Sequence, residues 1–174
     1  MINVRRWVIR GPVLVLVLAS TASSPIAQQS SDAAAVRQRL IGTYRLISWT
    51  AYDENGAERM QNYTVGQITY DAAGRMSAHL MAPNRPTAGR GATDADRVAA
   101  SAGYIGYFGR YEIDAARGVV THHVDGAYGQ NMVGQAMPRW YELTPDGQTL
   151  YLMTRNGDRV TGRLRWDRYP VTAR

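Results

Sequence analysis

The stretch "LYLMTRNGDRVTGRLRWDR" (Leu150–Arg168) has the pattern of two β-strands joined by a tight turn. Its second half alternates between two sets of side chains. One set is Val160, Gly162, Leu164, Trp166 and Arg168, and the other is Thr161, Arg163, Arg165 and Asp167. Because successive side chains of a strand point to opposite faces, the first, more apolar set should face a protein core. The dipeptide Asn156-Gly157 fits a two-residue hairpin turn.

Strand signals of this kind recur along the chain. Short runs rich in Tyr, Val, Ile and Thr lie between turn segments such as "DENG", "DAAG" and "TPDG". They predict eight strands, near residues 43–52, 65–71, 74–82, 104–114, 118–128, 136–143, 149–155 and 160–169. Tight turns between so many strands predict an all-β fold, an eight-stranded antiparallel up-and-down barrel, since closure removes exposed sheet edges. A β-sandwich is the alternative.

Two segments outside the strands predict short helices. Residues 33–42, "AAAVRQRLIG", have apolar side chains at helical spacing, and Gly42 is a stop signal, so we expect a short N-terminal helix. In the long connection after the third strand, Thr93 or Asp94 can cap a short helix that ends near Ala102. We expect this second helix to lie across an opening of the barrel as a lid.

The N-terminus has the pattern of a secretory signal peptide. A basic segment, "MINVRRWVIRGP", precedes the apolar run Val13–Ala19, and small residues follow, with cleavage expected after Ala27 or Ala22. Seven apolar residues span only about 10 Å as a helix, against roughly 30 Å for the membrane core. We therefore expect no stable membrane span in the mature protein and a periplasmic or secreted location. The expected regions are a signal peptide at 1–27, a flexible leader at 28–36 and a barrel domain at 37–174.

Composition argues against several classes of protein. The chain of 174 residues carries a formal charge of +6, which falls to +3 without Arg5, Arg6 and Arg10 of the signal segment. The remaining arginines are scattered, so the basic stripe typical of nucleic-acid binding is missing and we expect no nucleic-acid partner. With no cysteine, disulfides and thiolate chemistry are excluded. The sequence carries no signal for an oligomeric state.

Three stretches resemble a known family. They are "LIGTYRLISW" (Leu40–Trp49), "GRMSAHLMAPNRP" (Gly74–Pro86) and the pair "GYIGYFGRYEID" and "VVTHHVDG" within Gly103–Gly126. Together they resemble the bacterial lipocalin-like domain family over about residues 37–169. The resemblance implies an eight-stranded barrel around an internal cavity. It implies little about reaction or ligand, because related barrels include carriers as well as enzymes.

The resemblance also implies a structural plug at one end of the barrel. Lipocalin-type barrels pair an aromatic side chain of the first strand with an arginine from the end of the sheet. Here Tyr44 stands where tryptophan is usual, and Arg168 lies on the inward-facing set of the last strand. We expect these two residues to form a cation–π contact that is structural, not catalytic.

The adjacent histidines His122 and His123 are the first candidates for chemistry. They lie on a predicted strand, so they point to opposite faces. His122 shares its face with two valines and should lie inside the barrel, while His123 should lie outside with Asp125. The third histidine, His79, should also point outward. At most one histidine then reaches the cavity. Because zinc needs three converging protein ligands, we predict no metal site. We also predict no cofactor.

Tyrosine is unusually frequent, with 11 tyrosines and a single phenylalanine. A tyrosine-lined cavity offers apolar faces and hydroxyl donors, which suits an aromatic or oxygenated ligand. The candidate ligand-binding residues are His122, Tyr107, Tyr111, Tyr141 and Trp166. For each tyrosine the alternative is a purely structural role. For His122 the alternative is that of a core histidine satisfied by one hydrogen bond. Which faces of the fourth and sixth strands line the cavity also stays open at this point.

Three functions fit these residues. The first is an exported small-molecule-binding barrel for a hydrophobic or aromatic ligand. The second is a cofactor-free enzyme (an isomerase, cyclase or dehydratase) that uses His122 as the catalytic general acid/base beside a tyrosine donor. The third is an interaction module with a filled core and no cavity.

The signal-peptide interpretation predicts where the mature protein begins. Because small residues follow a short apolar run, we expect the exported chain to start between Ser23 and Gln28. N-terminal sequencing of the exported protein measures this. Recovery of membrane-bound protein with an intact Met1 would contradict it.

Overall fold

The structure, a computed structural model, describes residues 25–170. The signal peptide predicted at 1–27 lies outside the described residues, apart from its last three. In chain order the elements are α1 (Pro25–Leu40), β1 (Gly42–Tyr52), β2 (Glu58–Met60), β3 (Val65–Tyr70), β4 (Arg75–Met81), α2 (Asp94–Ala102), β5 (Tyr104–Asp114), β6 (Val119–Ala127), a 3₁₀ turn (Gln130–Met132), β7 (Ala136–Leu143), β8 (Thr149–Asn156) and β9 (Arg159–Arg168).

The strands form a closed antiparallel barrel, as predicted. From β3 onward each strand pairs with the next one along the chain, while β1 pairs with both β3 and β9 and so closes the sheet. The prediction missed β2, a ninth strand that pairs only with the end of β1. All three residues of β2 are exposed, so it has no alternation of apolar and polar side chains for a sequence pattern to reveal.

The hairpin between β8 and β9 forms one residue later than predicted. Asn156 pairs with Arg159, so the two-residue loop is Gly157-Asp158. Gly157 has a φ of +59°, a conformation that costs glycine little and other residues more. Glycine at the first loop position is typical of a type II′ turn, whose twist matches that of the paired strands.

The barrel interior is the hydrophobic core. On β9, Gly162 and Trp166 are buried and Leu164 packs against the core, which is the face that the alternation predicted. On β5, Tyr107 and Tyr111 face inward in the same way. The largest fully buried side chains come from strands around the whole barrel and from the end of α1. They are Trp166, Tyr44, Tyr70, Leu40, Ile68, Leu150, His122 and Val120.

Helix α1 covers the end of the barrel where β1 begins and β9 ends, which we call the closed end. Leu40 is completely buried in the core, and the Arg39 guanidinium donates to the carbonyl of Thr144 at 3.1 Å. The helix is longer than predicted, with 16 residues, and it includes residues 28–36, which we expected to be a leader. Alanine and glutamine favour helix upstream of the docked end, which allows this extension.

Helix α2 lies at the opposite end, which we call the open end. Thr93 caps it as predicted: its Oγ1 accepts from the Asp96 backbone at 3.1 Å, and the Asp96 carboxylate accepts from the Thr93 backbone at 2.9 Å. Tyr63 and Tyr128, at the rim, donate their hydroxyls to the carbonyl of Ala102 and to Ser101. The predicted lid helix is therefore present and is tied to the rim.

The structure brings together the two residues of the predicted plug. The Arg168 guanidinium carbon lies 4.5 Å from the centre of the Tyr44 ring. Arg168 also donates to the carbonyls of Gly147, Ile41 and Arg39 at 2.8, 2.7 and 2.6 Å, and to the Tyr44 hydroxyl. Burial raises the pKa of Tyr44 to about 12, against the opposing effect of nearby Arg168 and Arg39. One guanidinium thus joins the end of α1, the start of β1 and the turn before β8.

Removing this guanidinium should loosen the closed end. We expect Arg168→Ala to lower the free energy of unfolding by about 1–3 kcal/mol, since it removes a cation–π contact and leaves two part-buried carbonyls without this donor. Urea unfolding measures the loss. Arg165→Ala is the matched control: it lies on the outer face of β9, pairs with Asp167 at 3.1 Å, and should cost about 1 kcal/mol or less. Equal losses for the two variants would contradict the plug.

Candidate functional site

A cavity of about 220 Å³ lies inside the open half of the barrel. Its walls are mainly apolar, and they include Trp49, Ile68, Leu80, Ile105, Leu152 and Leu164. The 3₁₀ turn after β6 contributes Met132, whereas α2 contributes none of the lining side chains. The volume is below the roughly 300–1,000 Å³ of sites for drug-sized molecules, so the cavity suits a smaller organic ligand.

Two of the five predicted ligand-binding residues, Tyr107 and Trp166, line this cavity. Tyr111 and Tyr141 do not, although both lie on inward faces. Tyr111 is near the closed end, where its hydroxyl donates to the carbonyl of Asp71 at 2.7 Å and accepts from Arg37 at 3.4 Å. It borders a more open groove of about 490 Å³ between α1 and β5. Strand alternation gives the face of a residue but not its depth along the barrel, so the sequence could not separate these two residues from those that line the cavity.

Tyr141 is half-buried near the closed end of β7 and packs against the core. Burial raises its pKa, the carboxylate of Asp114 raises it further, and Arg39 opposes both. Tyr141 lies opposite Leu152, which lines the cavity, but it does not line the cavity itself, and the charged groups that shift its pKa are near the closed end.

His122 is completely buried behind Tyr107 and does not line the cavity. Its Nε2 lies 2.7 Å from the Tyr70 hydroxyl and its Nδ1 lies 3.1 Å from the Tyr107 hydroxyl. A neutral imidazole donates from one nitrogen and accepts at the other, and a phenol hydroxyl can take either part. Both ring nitrogens are therefore satisfied by tyrosines, in a polar network that crosses the barrel interior.

Burial keeps this network uncharged. It lowers the pKa of His122 well below its ordinary value, and the positive charge of Arg139 lowers it further. It raises the pKa of Tyr70 well above its ordinary value, and it raises that of Tyr107, where Arg139 opposes the shift. At neutral pH all three side chains are thus neutral hydrogen-bonding groups.

Arg139 is the charged cavity residue that sequence analysis did not single out. It lies on β7 opposite Val120, a fully buried residue of β6, so it faces the interior. It lines the cavity, and its guanidinium donates toward the Tyr107 hydroxyl. The sequence did contain a signal: Arg139 is two residues from both Met137 and Tyr141, so the three share one face of the strand, and both neighbours pack against the core. An arginine at such a position is rare enough to have marked the site.

The remaining histidines lie outside the barrel, as strand alternation predicted. His123 Nε2 is 3.2 Å from a carboxylate oxygen of Glu112, across the β5–β6 pair, and Asp125 instead pairs with Arg75 at 2.7 Å. His123 and Asp125 share the outer face, but their partners lie on neighbouring strands, because residues two apart on one strand are about 7 Å apart while cross-strand neighbours are closer. His79 Nδ1 lies 2.8 Å from the hydroxyl of Tyr104.

The geometry gives little support to the enzyme alternative. A general acid/base must reach the proton that it transfers, directly or through one water. His122 has no exposed surface, and its two nitrogens are engaged by Tyr70 and Tyr107.

Within residues 25–170, no three His, Asp or Glu side chains come together in a way that could hold a metal ion. In the same range, no helix is long and apolar enough to cross a membrane.

The buried histidine makes stability depend on pH. Below its ordinary pKa of about 6.5, His122 binds a proton in the unfolded chain but not in the folded one, so stability falls as pH falls. We expect the slope from His122 to approach about 1.4 kcal/mol per pH unit from about one pH unit below this value. Urea unfolding at several pH values should show the slope in the wild type and in His123→Gln, and its loss in His122→Gln. An unchanged slope in His122→Gln would contradict a neutral buried imidazole.

Comparison with protein families agrees with the fold. A sequence profile of the lipocalin-like domain family matches residues 41–169. No protein of curated function matches the chain. The structure is similar to that of a redesigned β-barrel, with a TM-score of 0.41 and 10% sequence identity, covering 77% of this chain and 95% of the other. The family match spans most of the chain and coincides with the barrel, from the end of α1 to the residue after β9. The chain therefore belongs to the lipocalin-like domain family.

Proposed function

We propose that this protein is an exported small-molecule-binding barrel, periplasmic or secreted, that holds a hydrophobic or aromatic ligand in its open half. The observation that carries the proposal is the cavity of about 220 Å³ with mainly aliphatic and aromatic walls. A module that acts only through its surface has no need of such a space, because protein interiors are otherwise close-packed. The N-terminal signal pattern supports the exported location.

The aromatic walls favour a flat or compact ligand body. Trp49 and Trp166 supply broad apolar faces, and Tyr107 adds a hydroxyl at the inner boundary of the cavity. Rings of this kind stack or meet edge to face with aromatic ligands while their polar atoms orient the ligand. Apolar walls with a few polar groups are the usual arrangement of a small-molecule site.

Filling the cavity should abolish ligand binding without unfolding the protein. We expect Ile105→Trp to remove binding while changing the free energy of unfolding by about 1 kcal/mol or less, since the indole enters open space. Ligand that copurifies with the exported protein can be extracted and identified by mass spectrometry, and its amount compared between variants. Phe108→Trp is the matched control, because Phe108 lies on the same strand, points outward and is 53% exposed.

The outcomes separate the proposal from a filled core. Loss of ligand in Ile105→Trp alone supports a binding cavity. A destabilisation of about 3 kcal/mol or more in Ile105→Trp, with no ligand in the wild type, would indicate overpacking of a closed core and would refute it.

A further inference from the structure

The cavity contains a positive charge for which the structure provides no counter-charge. Arg139 is half-buried on the inner face of β7 and lines the cavity. Its Nη1 donates to the carbonyl of Pro138 at 2.9 Å and its Nη2 contacts Met137 Sδ at 3.6 Å. No carboxylate among the side chains of residues 32–170 forms an ion pair with it. A guanidinium has five N–H donors, and beyond these two contacts and the one toward the Tyr107 hydroxyl, donors remain for a ligand.

A second donor in the same cavity also lacks a partner. Trp166 is 1% exposed and lines the cavity, and its Nε1–H has no acceptor among the described residues. A buried donor without an acceptor costs about 1–3 kcal/mol, so native proteins rarely leave one unmatched. By contrast, the neighbouring His122 is satisfied at both nitrogens.

We infer that the ligand of this cavity is a small organic acid, whose carboxylate binds Arg139 and whose apolar or aromatic body packs against the opposite walls. The inference rests on the proposed function and specifies the ligand class for the same site. A carboxylate has two acceptor oxygens that match the planar fork of a guanidinium, and the Trp166 N–H can serve a further lone pair. The remaining walls, Ile68, Leu80, Ile105 and Leu152, are apolar and suit the hydrocarbon part.

The polarity of the cavity argues against a neutral or cationic ligand. Its lining has one full positive charge, Arg139, and no acidic side chain. In a site of low dielectric constant a cation near this arginine is strongly disfavoured, while an anion offsets a charge that is otherwise costly to keep there. A purely hydrocarbon ligand would leave both donors unmatched.

The test compares each acid with its own amide. The probes are benzoate, cinnamate and octanoate with the corresponding primary amides, titrated into the delipidated full mature protein by isothermal titration calorimetry. Acid and amide have nearly the same shape, so their difference in affinity reports the charge. We expect at least one acid to bind about 10- to 100-fold more tightly than its amide.

Variants then assign the difference to Arg139. Arg139→Gln should weaken acid binding by about 10- to 100-fold and amide binding by less than about threefold, and Arg139→Lys should have an intermediate effect. Arg110→Gln, on the exposed outer face of β5, is the matched control and should change neither affinity. The acid–amide comparison in the wild type stands even if Arg139→Gln does not fold.

Each outcome decides the question. Preference for acids that is lost in Arg139→Gln supports the inference. Equal binding of acids and amides overturns it but leaves the proposed function in place. If neither acids nor amides bind, and no ligand copurifies with the wild type, the proposed function fails as well.

Discussion

The structure depends on the pairing of β1 with β9, which closes the sheet into a barrel. This pairing runs from Tyr44 opposite Arg168 at the closed end to Ala51 opposite Gly162 near the open end. Closure leaves no long unpaired edge and creates an interior with two ends. Arg168 strengthens the closure at its first pair, because its side chain also holds the end of α1 in place. The cavity lies in the half of the barrel away from this seal.

The two halves of the interior differ in whether their polar groups have partners within the protein. In the closed half, polar atoms find partners within the protein: Tyr44 with Leu40, Tyr111 with Asp71, and the Arg168 guanidinium with three carbonyls. In the open half, the buried Trp166 N–H has no acceptor among the described residues, and the half-buried Arg139 pairs with no carboxylate among them. Because an unmatched buried donor is costly, this contrast locates the site more sharply than cavity volume alone. The His122 network lies behind the cavity, and of its three side chains only Tyr107 lines the cavity.

His122 lies next to the cavity without being exposed to it. Its ring fixes the hydroxyl of Tyr107, which does face the cavity. A fully hydrogen-bonded buried network makes the inner wall rigid, so Tyr107 is presented to a ligand in one orientation. The neutrality that burial imposes on His122 also keeps Arg139 the single charged group of the cavity lining.

The sequence by itself determined the elements and their faces. Alternation along β9 set the inward side for Leu164 and Trp166, the same rule separated His122 from His123, and turn residues set the limits of most strands. These are local properties, since each depends on residues adjacent in the chain. The sequence did not reveal β2, the depth of Tyr111 and Tyr141, the pairing of His123 with Glu112, or the inward charge of Arg139. Those features depend on register, which fixes which residues of different strands share a level of the barrel. Only the tertiary structure decides register, because the energies that select it come from packing between distant segments.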